Sequence, residues 1–199
     1  MKHGFAYLSQ NRFLSVPNDA SNKPFGVAGI PYDGAVTNRP GARFAPAAIR
    51  QASQMLCDGI HPFFNTSPYE FIRDLGDLAT PNTDLTAMRA SLAEQVPALL
   101  AQYHMCWLGG DHSITLGLLR AYRAWAGQPL AVLHFDAHCD TWEDHFGEPS
   151  GHGTWVYEAI QEGLVDPESF VQVGIRSAGV REARRSEEHT SELQSLACI

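Results

Sequence analysis

The sequence predicts an α/β protein built on a mostly parallel central sheet. Three observations predict it. Apolar runs of strand length alternate with helix-like segments along the chain. Those runs are apolar without a polar alternation, as expected of strands covered on both faces. Clusters of charged and imidazole residues stand where strands end, the usual place for ligands in open α/β sheets.

Phe25–Ile30 (FGVAGI) is the first such run and ends at Pro31. A loop rich in Gly, Pro and Asn follows. Within it, Asp33, Arg39 and Arg43 either stand near the mouth of a crevice or, as the plainer expectation, pair to fix a long loop or a subunit contact. Pro46 opens a helix over AAIRQASQML, as proline in the first turn commonly does. Phe71–Leu75 is the second strand, with Asp74 and Asp77 expected to tether its end. Thr83 or Asp84 caps a helix running to about Tyr103, with Pro97 as a potential kink. His104–Leu108 is the third strand and leads to Gly109-Gly110. Residues 113–126 form a helix with leucines and aromatics on one face. Leu130–Phe135 is the fourth strand, residues 154–163 a further helix, and Ser169–Ile175 the fifth strand.

The chain has 199 residues, 44% hydrophobic and 18% charged, with a formal net charge of −8. That composition supports a packed core and opposes disorder. The negative balance disfavours nucleic acid and mildly favours cationic ligands. The four cysteines form no Cys-x-x-Cys pair, so zinc-ribbon spacing is absent and a reducing compartment is the simpler expectation. Cys106, in an apolar run, reads as a core residue. Neither a secretory leader nor a membrane-spanning run is visible, and the expected location is cytoplasmic.

Two clusters carry chemistry. Gly109-Gly110-Asp111-His112-Ser113 follows the third strand, and Asp136-Ala137-His138-Cys139-Asp140 follows the fourth. On an extended segment alternate side chains share a side, so Asp136, His138 and Asp140 are expected to converge and Cys139 to point away. Two carboxylates with imidazole make a cation site that favours manganese or magnesium over a thiolate-type zinc site. The glycines allow a tight turn that aims His112 at the same crevice.

GGDHS followed by DAHCD resembles two metal-binding signatures of the ureohydrolase, or arginase, superfamily. PYDGAVTNRPGARFAPAAIR upstream and SGHGTWVYEAIQEGLVDPESFVQVGIRS downstream extend the likeness over roughly residues 25–178, the latter resembling agmatinases in particular. The resemblance implies a three-layer arginase-like fold, incomplete at the C-terminus, and two Mn2+ ions per complete active site. It implies that His112 holds one manganese and His138 the other, that Asp136 bridges both, and that Asp140 completes the first and accepts a hydrogen bond from the nucleophile. His152 matches the family's proton-shuttle histidine. The family's later paired-aspartate motif is absent from this sequence; the nearest candidate, Asp166-Pro167, lacks the paired aspartate.

The implied reaction is hydrolysis of a small cationic guanidino substrate to urea and an amine. Trp142-Glu143 after Asp140-Thr141, and Ser177 where arginases carry a carboxylate, argue against arginine. Agmatine fits better and guanidinobutyrate is the rival. Glu143, Asp144 and Glu148 are either attractors of a cationic tail or a solvated loop. Two other readings remain: a non-catalytic arginase-fold scaffold or inactive fragment, and a zinc deacetylase, whose His-His pair is missing. Relatives imply a homo-oligomer at full length. Residues 1–184 read as the N-terminal part of one ureohydrolase domain. Residues 185–199 (RSEEHTSELQSLACI) read as a non-native, adapter-like tail.

Overall fold

The computed structural model describes residues 11–17, 22–56, 59–144 and 146–177. The proposed non-native tail lies outside them. The chain divides into two compact units, one within Met1–Gly34 and Asn38–Asp111, the other within Ala35–Thr37 and His112–Ile199.

In the first unit the strands are β1 (Phe25–Ile30), β2 (Ile72–Asp77) and β3 (His104–Gly109), in the order β2-β1-β3. Both pairings are parallel, and Phe25 stands opposite Ile72 on one side and His104 on the other. Between them run α1 (Ala45–Ser53) and α2 (Leu85–Leu100). Asp84 caps α2 by accepting from the Ala87 N–H at 2.9 Å, as its position before the helix predicted. The helix continues through Pro97 for a further turn. Met88, Leu92 and Val96, spaced by four, are wholly buried.

β1 is buried along all but its first residue, as expected of a strand with neighbours on both sides. β3 instead alternates, and Cys106, expected in the core, is exposed. The reason is that β3 turns every second side chain to an uncovered face, so an apolar run did not mean burial on both sides. Gly110 is needed where it stands: a Cβ there would lie 2.4 Å from the Tyr32 carbonyl oxygen and 2.6 Å from that of Ile30.

Two ion-pair systems hold the loops of this unit. Arg50 is fully buried, with Nε donating to Asp74 Oδ2 at 2.8 Å, Nη2 to Asp74 Oδ1 at 3.0 Å, and Nη1 to Asp77. The end of β2 is tethered as anticipated, but by a buried guanidinium. Asp33 accepts from Arg43 Nε and from the Gly41 N–H at 2.6 Å. Burial pushes the Asp33 carboxyl up, but the Arg43 hydrogen bond and backbone N–H groups win and hold it below the usual carboxylate range.

The second unit contains α3 (Ile114–Ala126), β4 (Leu130–Phe135), α4 (Trp155–Gln161) and β5 (Val165–Val173), with β4 and β5 parallel. α3 ends at Gly127, left-handed at φ 72°. Its leucine face is buried, but Trp125 is 60% exposed and does not join it. β5 begins four residues before the expected Ser169. Leu130 pairs with Val165 and Val132 with Phe170, so Asp166–Ser169 is a bulge inside a strand. Asp166-Pro167 reads as turn chemistry, and the bulge uses it that way while pairing resumes beyond. The core joins Leu116, Trp155, Val156, Ala159, Leu164, Val165 and Phe170. Among the described residues no helix is long and apolar enough to cross a membrane.

Candidate metal centre

All the site residues named from sequence lie in the second unit. His112 stands two residues before α3, Asp136 follows β4, and Asp140 meets the start of α4. The Asp140 carbonyl accepts the Val156 N–H at 3.1 Å, which satisfies an otherwise orphaned donor of that helix end. Asp136 continues the β4 ladder, its N–H donating to the Val173 carbonyl at 3.1 Å. The segment between the two aspartates is not extended: the chain bends at Ala137 and His138, and Asp140 adopts φ 52°, a left-handed conformation that aspartate tolerates.

That bend changes which side chains converge. His112 Nδ1 lies 2.9 Å from Asp140 Oδ2 and 3.2 Å from Asp136 Oδ2. His138 stands outside this cluster, its side chain 68% exposed, with Nδ1 3.5 Å from Asp136 Oδ1. Simple alternation would have put His138 beside the other two; the bent segment separates it. The two oxygens of Asp136 therefore face two different histidines. His134 takes a place among the converging groups: ligand atoms of His112, His134, Asp136 and Asp140 lie within 4.8 Å of one another. Cys139 is buried, and its sulfur accepts from Thr141 Oγ1 at 3.3 Å, in keeping with a packing role.

The donor set fits a hard cation. An octahedral ion with bonds of about 2.1 Å spaces adjacent ligand atoms by roughly 3 Å, and the His112 contacts have that spacing. Burial pushes the Asp136 carboxyl up. The His138 backbone N–H, at 2.9 Å, and the neighbouring imidazoles outweigh it and hold the group below the usual carboxylate range. Burial, with His112 nearby, pushes His134 down, so it is neutral near pH 7.

Trp155, 1% exposed, donates from Nε1 to Asp140 Oδ2 at 2.7 Å and packs its ring 5.0 Å from both His112 and His134. Gln172 Nε2 lies 2.9 Å from His134 Nδ1. His134, Trp155 and Gln172 were not singled out from sequence. For His134 and Gln172 a signal existed: each is a polar residue inside an apolar strand, and they are register partners across β4 and β5. Trp155 carried none, since a tryptophan on a helix reads as core.

A cavity of about 280 Å3 lies beside the cluster, lined by Thr37, His138, Asp140, Trp142, Phe146 and His152. His152 Nδ1 is 2.8 Å from the Ala35 carbonyl, which only accepts, so this nitrogen carries a proton. The loop bearing His152 is clasped by Glu158 on α4, which accepts from Ser150 Oγ and Thr154 Oγ1, each at 2.6 Å. Asp144 accepts from the Gly147 N–H at 3.0 Å and so closes its own turn. Ser177 Oγ accepts from the Cys139 N–H at 3.3 Å, anchoring the loop between the aspartates.

The arginase-family profile matches residues 23–197. The chain belongs to the arginase family. It is 42% identical over 163 residues to an agmatinase of Chromobacterium violaceum, covering 80% of this chain and 50% of that protein. It is 36% identical over 176 residues to a guanidinopropionase of Pseudomonas aeruginosa, covering 83% of this chain and 53% of that protein. The fold is similar to that of the proclavaminate amidino hydrolase of Streptomyces clavuligerus. That match has a TM-score of 0.79 at 34% identity and covers 92% of this chain and 63% of that one. The arginase-like α/β fold expected from sequence is thereby met. The chain spans about half the length of the curated relatives it matches.

Proposed function

We propose that the whole protein hydrolyses a linear guanidino compound to urea and an amine, with agmatine as substrate, putrescine as the amine product and manganese as the metal. The observation that carries this reading is Asp136, whose Oδ2 lies 3.2 Å from one imidazole and whose Oδ1 lies 3.5 Å from another. A carboxylate facing two nitrogen ligands is the arrangement that two neighbouring cations require. His112, Asp136 and Asp140 would hold one ion, and His138 with Asp136 the other. Bound metal ions supply a water of lowered pKa and an electrostatic clamp for the charge that develops on the guanidine.

The chain's own residues do the rest. Asp140 accepts a hydrogen bond from the attacking water through the carboxylate that Trp155 orients. His152 carries a proton at Nε2 to the departing amine nitrogen, a task suited to imidazole near neutral pH. Trp142 and Phe146 line the cavity where the alkyl part of the substrate would lie. Support for guanidine chemistry comes from the family and from relatives named agmatinase and guanidinopropionase. Support for agmatine over arginine comes from Ser177, which is occupied with the Cys139 N–H and brings no carboxylate to an α-ammonium. The protein would work in the cytoplasm as a homo-oligomer.

The test is urea release from agmatine, 4-guanidinobutyrate and arginine with added manganese. It is run on this chain and on this chain extended by the second half of the C. violaceum agmatinase. Manganese-dependent release that is greatest with agmatine in the extended chain is expected. Release from none of the three guanidines by either form would overturn the proposal.

A further inference from the structure

His134 sits among the converging groups and by distance alone would be a fourth ligand. We infer that it is not a ligand but a positioning residue: a hydrogen-bond donor that orients Asp136, its tautomer set by Gln172. The inference rests on the metal-site reading above.

The direction of the hydrogen bonds decides it. The Gln172 side-chain nitrogen lies 2.9 Å from the Cys139 carbonyl oxygen, which can only accept, so the amide NH2 and not its oxygen faces that way. The same nitrogen lies 2.9 Å from His134 Nδ1. Its second N–H therefore donates to that ring nitrogen, and Nδ1 is the acceptor. A neutral imidazole that accepts at Nδ1 carries its proton at Nε2. A nitrogen bearing a proton has no lone pair for a metal.

Nε2 is buried and makes no hydrogen bond among the described residues. The acidic oxygen facing it is Asp136 Oδ2, at 3.4 Å. A buried donor without an acceptor is costly, and a shift of a few tenths of an ångström would bring this pair into N–H···O range. The ring cannot swing away: Trp155 meets it at 5.0 Å and 74°, and Phe170 at 6.3 Å and 65°. His134 thus holds one oxygen of Asp136 on the His112 side while the other faces His138. Partners of this kind typically change metal affinity 10–100-fold when removed.

Three measurements on the 199-residue chain test this. Long-range proton–nitrogen NMR of the histidine rings reads the tautomer with and without Mg2+. We expect His134 to keep its proton on Nε2 in both conditions while the His112 ring nitrogens shift. Loss of the Nε2 proton, or a proton found on Nδ1, would overturn the inference. Manganese titration followed by electron paramagnetic resonance then compares Gln172→Leu with the unaltered chain. Affinity falling several-fold is expected, because the tautomer is released. Unchanged or tighter binding would contradict it, since a ligating ring gains from losing a donor at Nδ1. His134→Phe, checked for folding by circular dichroism, should weaken manganese by about 10–100-fold. If the unaltered chain binds no manganese, the metal reading fails by itself. The tautomer in the metal-free chain still judges the donor role.

Discussion

The two units each gather aspartates around nitrogen groups, with opposite results. In the first, Asp74 is saturated: it accepts from Arg50 Nε and Nη2, from the Phe13 N–H at 2.6 Å and from the Gly76 N–H at 2.9 Å. A permanently charged guanidinium supplies the cation, and Asp77 shares it. In the second, Asp136 and Asp140 face imidazoles that carry no fixed charge. The first cluster is closed on itself. The second pairs its carboxylates with imidazoles only and lies beside a cavity. Aspartates near nitrogen donors thus mean structure or chemistry according to whether the protein supplies the positive charge itself.

The largest effect expected from breaking this contrast is at Arg50. Arg50→Leu leaves two buried carboxylates without a cation and should cost about 3–5 kcal/mol of unfolding free energy, read by urea denaturation. The reverse holds in the second unit, where adding a cation should stabilise. Manganese at about a hundred times its dissociation constant raises stability by roughly 2.7 kcal/mol. That gain should fall to half or less in Asp136→Asn, about 1.4 kcal/mol at most, and should persist in Asp77→Asn, measured as the shift in thermal midpoint.

Trp155→Phe removes one donor from Asp140 while keeping most of the packing. A hydrogen bond to a charged group contributes about 1.5–3 kcal/mol, so a loss in that range is expected by denaturation, together with weaker manganese binding.

How far this contrast was legible in the sequence differs by residue. β1 and β4 have the bounds that their apolar runs predicted, because a run closed by Pro31 or Asp136 has one way to end. His112, Asp136 and Asp140 were readable as a cluster from motif and spacing. The separation of His138 was not, since the chain bends at Ala137 and His138 and turns left-handed at Asp140, which the alternation of the sequence does not announce. The exposure of Cys106 was equally hidden, because composition gives the polarity of a strand and not what covers each face.

The smallest effect concerns pH. The Asp33 carboxyl is held below its ordinary value of 3.8, with burial opposed and outweighed by Arg43 and backbone donors. Because the folded state lowers this pKa, its contribution is fully present above about pH 4. It is lost as pH falls through the folded-state value. Asp33→Asn should therefore flatten the acid limb of a stability–pH curve below pH 4 and leave the neutral region's slope unchanged.

The most direct test of the central claim is a manganese titration of this chain beside His112→Ala and Asp136→Asn, with free Mn2+ read by electron paramagnetic resonance. Three side chains converging on one hard cation predict measurable binding by the unaltered chain, weakened at least tenfold in each variant, more than about 1.4 kcal/mol. Equal manganese affinity in all three proteins would contradict it.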